Sequence, residues 1–175
     1  MSVLLAVALG AMQPTPAAPL IGKADVVKPL GTQAAEEALI RQAIADVYAV
    51  ISGPAGQKRD FARMKSLFTP DARLYAVGRN GLQGGSLDDY VAKNGSSLEK
   101  VGFTERELSS RVQIFGNVAQ VWSSYAGTST DGSINVRGIN SFQLARQIDG
   151  RWLVHSILWQ AETPALPLPK DMEAR

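Results

Sequence analysis

Ser141-Phe142-Gln143-Leu144-Ala145-Arg146-Gln147-Ile148-Asp149-Gly150-Arg151-Trp152-Leu153-Val154-His155-Ser156-Ile157-Leu158-Trp159 is the stretch from which the fold reads most directly. Phe142 and Leu144 before the Asp149-Gly150 pair, and Trp152 and Val154 after it, repeat with a period of two. That is the pattern of two strands joined by a hairpin. Taking Ile148-Asp149-Gly150 as a three-residue loop with Gly150 left-handed pairs Leu144 with Val154, Phe142 with Ser156 and Asn140 with Leu158. Phe142, Leu144, Trp152 and Val154 then form one apolar face. The other register sets Leu144 opposite His155 and splits that set, so it is rejected.

Working back toward the N-terminus, two more long strands are expected, at about 118–129 and 105–115, with Gly116-Asn117 as the turn between them. The strand entering the Asp149-Gly150 hairpin spans about 134–147, Asp131-Gly132 precedes it, and the last strand covers about 151–162. The first half of the chain has helical spacing instead. Leu39, Ile40, Ala43, Ile44, Val47, Tyr48 and Ile51 form one apolar stripe, so a helix is expected from Thr32 to Ile51, stopped by Gly53-Pro54. A shorter helix is expected over about 60–68. Thr69-Pro70-Asp71 then reads as a turn and 73–77 as a short strand. Gly78 to Gly85 reads as a glycine-rich connection, and Ser86-x-x-Asp89 as a capping box opening a third helix to about Lys93. Pro164-Ala165-Leu166-Pro167-Leu168-Pro169 is too proline-rich for either element and reads as an extended tail over 164–175. Helices followed by long antiparallel strands make an α+β fold, a curved sheet covered on one face by three N-terminal helices.

Composition narrows the function classes. The 175 residues include no cysteine and one histidine, which removes disulfides, thiolate chemistry and any site needing two imidazoles. Eighteen Lys and Arg against sixteen Asp and Glu give a dispersed net charge of +2, without the basic stripe a nucleic-acid partner requires. No metal or cofactor site is expected. Residues 1–21 carry no charge and contain the apolar run Val3 to Leu9. That run is far short of the roughly 20 residues that span a bilayer. Residues 1–30 therefore read as an export signal, placing the protein in the periplasm or outside the cell, or as a disordered extension of a cytoplasmic one. The folded domain is expected over 31–163.

Four segments in order, Leu67 to Ala72, Gly116 to Ser123, Arg137 to Leu144 and Asp149 to Trp152, resemble the nuclear-transport-factor-2-like (SnoaL-like) superfamily. Ser156 to Glu162 is similar to a bacterial branch without an assigned activity. The resemblance implies a cone whose concave sheet and helices enclose a pocket. The superfamily hosts isomerases, cyclases, dehydratases and epoxide hydrolases, and also domains that only bind or dimerise, so the fold by itself assigns no activity.

By alternation and the family pattern, the inner wall combines Phe142 and Trp152 with Tyr48, Ser123, Tyr125, Asn140 and Ser156 as neutral polar handles. Such a lining suits a small apolar ligand held by a few hydrogen bonds. The plainer reading, that these are core residues satisfied internally, stands beside it. The outer face would carry Trp122, Ile139, Ile157 and Trp159, an apolar patch large enough to be a homodimer interface unless the tail covers it. An enzyme of the isomerase, cyclase or lyase type would need an inward acid. The resemblance to ketosteroid isomerases puts their catalytic Asp at Ala76, which exchanges no proton. Glu107, or failing that Asp71, is then the candidate base, with Tyr48 or Tyr125 as the hydroxyl partner. His155 falls on the outer face. A pure dimerisation module with a filled interior is the third reading.

Overall fold

The computed structural model describes residues 31–174; the leader or extension expected over 1–30 lies outside the described residues. The elements are α1 (Gln33–Ile51), α2 (Phe61–Ser66), β1 (Phe68–Gly78), β2 (Gly81–Ser86), α3 (Leu87–Val101), β3 (Phe103–Phe115), β4 (Val118–Ser129), β5 (Asn135–Arg146), β6 (Trp152–Ala161) and a short 3-10 turn η1 (Lys170–Met172). The six strands form one open curved sheet in the order β2-β1-β6-β5-β4-β3. The fold is α+β, with the three helices packed against the sheet. Every neighbouring pair is antiparallel except β1 beside β6, which is parallel.

Local chemistry sets the helix ends. The Thr32 hydroxyl accepts from the Ala35 N–H at 3.3 Å and starts α1. Ser86 and Asp89 form the reciprocal capping box of α3, which runs on to Val101, two turns past the expected end. The core joins Ile40, Ile44, Val47 and Tyr48 of α1 to Val121 of β4, Phe142 and Leu144 of β5, and Trp152 and Val154 of β6.

Two sequence expectations are corrected here. The glycine-rich segment before Ser86 is not a connection: residues 81–86 form β2, hydrogen-bonded to β1. Gly84 makes this pairing possible, because a Cβ there would strike the Leu74 carbonyl oxygen across the ladder. The second correction lies in the β5–β6 hairpin. Leu144 pairs with Val154 as expected, but the next pair is Gln143 with Ser156, then Phe142 with Ile157 and Asn140 with Trp159. His155 is the extra residue of a β-bulge. One extra residue reverses every later side chain in a period-two element. Ile157 and Trp159 therefore turn inward, against their expected place on the outer face, while Ser156 turns away from the cavity. Ile157 is 6% exposed.

Trp152 faces inward but belongs to the core rather than to a ligand wall. Its indole N–H donates to Glu36 at 2.9 Å, and Glu36 in turn pairs with the buried Arg146 at 3.4 Å. The proline-rich tail crosses the outer face. Leu168 and Met172 are buried, the Ser124 hydroxyl donates to the Met172 carbonyl, and Asp171 pairs with Arg111. No helix among the described residues is long and apolar enough to cross a membrane.

Candidate functional site

The site is assembled where the end of α1 meets the start of β3. Gly53 and Phe103 exchange backbone hydrogen bonds at 2.7 and 2.9 Å. Beside them the Ser52 hydroxyl donates to the Tyr48 carbonyl at 2.7 Å and accepts the Glu105 N–H at 2.9 Å. This serine fixes the relative height of Tyr48 and Glu105. The buried Arg59 guanidinium tightens the same corner by donating to the carbonyls of Ile51, Gly53 and Leu98. It is a buried cation solvated by backbone rather than by a carboxylate.

Phe103, Glu105 and Glu107 share the inward side of β3 with Ser123 and Tyr125 of β4. A directional hydrogen-bond chain follows. The Asn140 amide donates to the Tyr48 hydroxyl oxygen at 3.1 Å and to the Glu105 carboxylate at 3.1 Å. Ser123 donates to Glu107 at 2.7 Å, so the 2.7 Å contact between Tyr48 and Ser123 must use the tyrosine proton. Tyr48 is thereby fully engaged inside the protein. Among the described residues the hydroxyls of Tyr90 and Tyr125 have no hydrogen-bond partner.

Behind this network lies a cavity of about 390 Å³. Its walls include Phe68, Ala76, Tyr90, Phe103, Glu105, Tyr125, Asn140, Phe142, Ile157 and Trp159. Glu105 is the one carboxylate among the described lining residues, and no Lys, Arg or His lines the space with it. Burial in this apolar surround pushes its carboxyl up to about 7, opposed by the Asn140 hydrogen bond. Burial likewise raises the Tyr48, Tyr90 and Tyr125 phenols above their ordinary range.

The sequence reading divides accordingly. Tyr48, Tyr125, Asn140 and Phe142 meet at the cavity, with Ser123 behind Tyr48. Trp152 and Ser156 do not reach it. Glu107 is exposed and accepts from Ser123 outside the cavity lining. Asp71 is on the surface, 3.7 Å from the exposed His155, and its carboxyl is held below the usual range first by the Thr69 hydroxyl. It offers no base to the cavity. Glu105 is the residue the sequence reading missed. Its signal was available: it shares parity with Glu107 on one strand and stands nearer the helical lid. Gly138 also matters, since a Cβ there would come within 2.8 Å of the Tyr125 hydroxyl. Among the described residues no three His, Asp or Glu side chains converge on a point that could hold a metal ion.

No family model matches the chain, and no curated protein matches it significantly. Solved structures do. An NTF2-like protein of unknown function from Pseudomonas putida is 18% identical, covering 82% of this chain and 99% of its own, with a TM-score of 0.60. One from Shewanella baltica, also of unknown function, is 20% identical over 76% of this chain and 98% of its own, with a TM-score of 0.54. A candidate ketosteroid isomerase from Shewanella frigidimarina is 18% identical over 74% and 97%, with a TM-score of 0.51. At these identities the likeness shows the fold, which is the nuclear-transport-factor-2-like one.

Proposed function

We propose that this chain, a nuclear-transport-factor-2-like fold, binds a small, largely apolar molecule in the cavity under its helices. The observation that carries this reading is the cavity itself. Its volume of about 390 Å³ falls within the range of small-molecule clefts. Its wall is apolar and aromatic, with a few polar groups left free to orient an occupant. A core filled for dimerisation alone would have no such space.

A second reading, proton-transfer catalysis of the isomerase or lyase type, is favoured by one specific observation. Glu105 stands in the cavity wall with its carboxyl near neutrality, where a carboxylate can both take and return a proton. Ala76, the position the resemblance assigns to a catalytic Asp, does line the cavity, so this acid reaches the space from the opposite wall. Tyr125 or Tyr90 would supply the hydroxyl, because the proton of Tyr48 is spent on Ser123.

The proposal extends to assembly and place. A homodimer would use the outer groove of about 430 Å³ between the sheet and the tail, lined by Trp122, Ile139, Leu158, Leu166 and Leu168. Ile157 drops out of that interface, whereas Trp159 borders both the groove and the inner cavity. Export to the periplasm or beyond rests on the apolar run at residues 3–9.

A thermal-denaturation screen against apolar metabolites tests the binding reading. A binder present at about 100 times its Kd raises stability by about 2.7 kcal/mol. Asn140→Leu, which removes the amide shared by Tyr48 and Glu105, is expected to erase that gain. A broad panel with no stabilising compound would overturn the proposal.

A further inference from the structure

The cavity presents an imbalance of charge. Among the described residues, its lining includes one carboxylate, Glu105, and no cation. The groups that face Glu105 from the surrounding elements are Tyr48 of α1, Tyr90 of α3, Tyr125 of β4 and Asn140 of β5, with Glu107 farther along β3. All are neutral or acidic, and the two tyrosines without partners bring aromatic surface with them. Glu105 itself is satisfied through one oxygen, Oε1, by the Asn140 amide. Asn140 uses its amide group on Tyr48 and Glu105, which leaves its carbonyl oxygen, another acceptor, without a protein partner among the described residues.

A carboxylate held in such surroundings is costly, and an amide of the same shape would be cheaper for a neutral occupant. An anionic occupant would meet Glu105 with no counter-charge among the described lining residues. A cation would reverse the balance: it would keep Glu105 ionised through a charge-assisted hydrogen bond and rest on aromatic faces. We propose that the occupant is a lipophilic amine in its ammonium form, with its nitrogen against the Glu105 carboxylate and its apolar body among Phe142, Ile157, Trp159 and Tyr90. The proposal rests on the binding reading above and names the ligand's chemical class.

Three probes of one shape test it on the full chain by calorimetry: 2-naphthylmethylamine, 2-naphthylmethanol and 2-naphthoate, at about pH 5.5 and about pH 8.5. The amine stays charged at both. It is expected to bind at least about tenfold tighter than the alcohol at the higher pH, with naphthoate weakest. Its advantage shrinks at the lower pH, where Glu105 takes up a proton. Glu105→Gln should lower amine affinity about tenfold and leave the alcohol within about threefold. If that variant does not fold, the pH profile of the unsubstituted protein decides alone. Alcohol binding equal to or tighter than amine binding at about pH 8.5 overturns the amine assignment and leaves the binding reading standing. So does an amine preference that survives in Glu105→Gln or does not change with pH. If none of the three probes binds to folded protein, both fall together.

Discussion

Glu105 owes its character to what its neighbours lack. Phe103, Phe142 and the tyrosine rings remove water without supplying a positive charge, so the neutral acid is favoured. The consequence for folding has a definite sign. The carboxyl is raised in the folded state from 4.5 to about 7, so the folded chain binds more protons than the unfolded chain between those values. Stability from this group is fully present below about pH 4.5 and is lost as pH rises through about 7. Chemical denaturation of the unsubstituted protein and Glu105→Gln across that window should therefore show the unsubstituted protein losing ground as pH rises. A difference between the two that does not vary with pH would count against the buried acid. Tyr48 acts differently, as a link in the internal chain from Asn140 to Ser123 and Glu107. The sequence marked Tyr48 and Asn140 as inward, but it could not show that their hydrogen-bonding groups answer each other.

At the scale of elements, most of the architecture was legible because it rests on periodicity. The stripe from Leu39 to Ile51 and the Asp149-Gly150 turn are local signals, and local signals survive into the fold. What escaped was non-local. His155 carries no mark of being a bulge; it is the residue at which the register of β6 shifts against both of its neighbours, β5 and β1. That single insertion exchanges Ser156 for Ile157 and Trp159 in the cavity wall. β2 was missed because its glycines look like a loop, whereas Gly84 is a contact residue whose missing side chain lets two backbones approach. Gly84→Ala is accordingly expected to destabilise by about 1–3 kcal/mol in equilibrium unfolding, and to do so by loosening β2 from β1. A neutral effect would mean that the β1–β2 ladder tolerates the added carbon and is held less closely than described.

The whole molecule carries two apolar faces that meet at Val77, Trp159 and Ala161. One is the inner wall with Glu105, and the other is the outer groove beside the tail, where Trp122 and Leu158 are 40% and 44% exposed. The tail already covers part of the outer sheet, with Met172 fully buried and Glu162 bridging to Arg137 at 2.5 Å. The uncovered remainder is what a second copy would bury. For the proposed homodimer, Leu158→Glu is expected to give monomers in sedimentation without loss of thermal stability, because the side chain points away from the core. A dimer that persists in this variant would exclude the groove as the interface. Composition alone could not separate these faces, since tryptophan and isoleucine suit a cavity wall and an interface equally well; the register at His155 assigns Ile157 to the cavity wall, while Trp159 borders both spaces.

An ionisable carboxyl, that of Glu105, stands in the apolar cavity formed by β3, β5, β6 and the helical lid. Titration of the Glu105 side-chain carbon by NMR, assigned by its loss in Glu105→Gln, tests this most directly. A midpoint of about 7 is expected. A midpoint in the ordinary glutamate range, near about 4.3, would place Glu105 in water and contradict it.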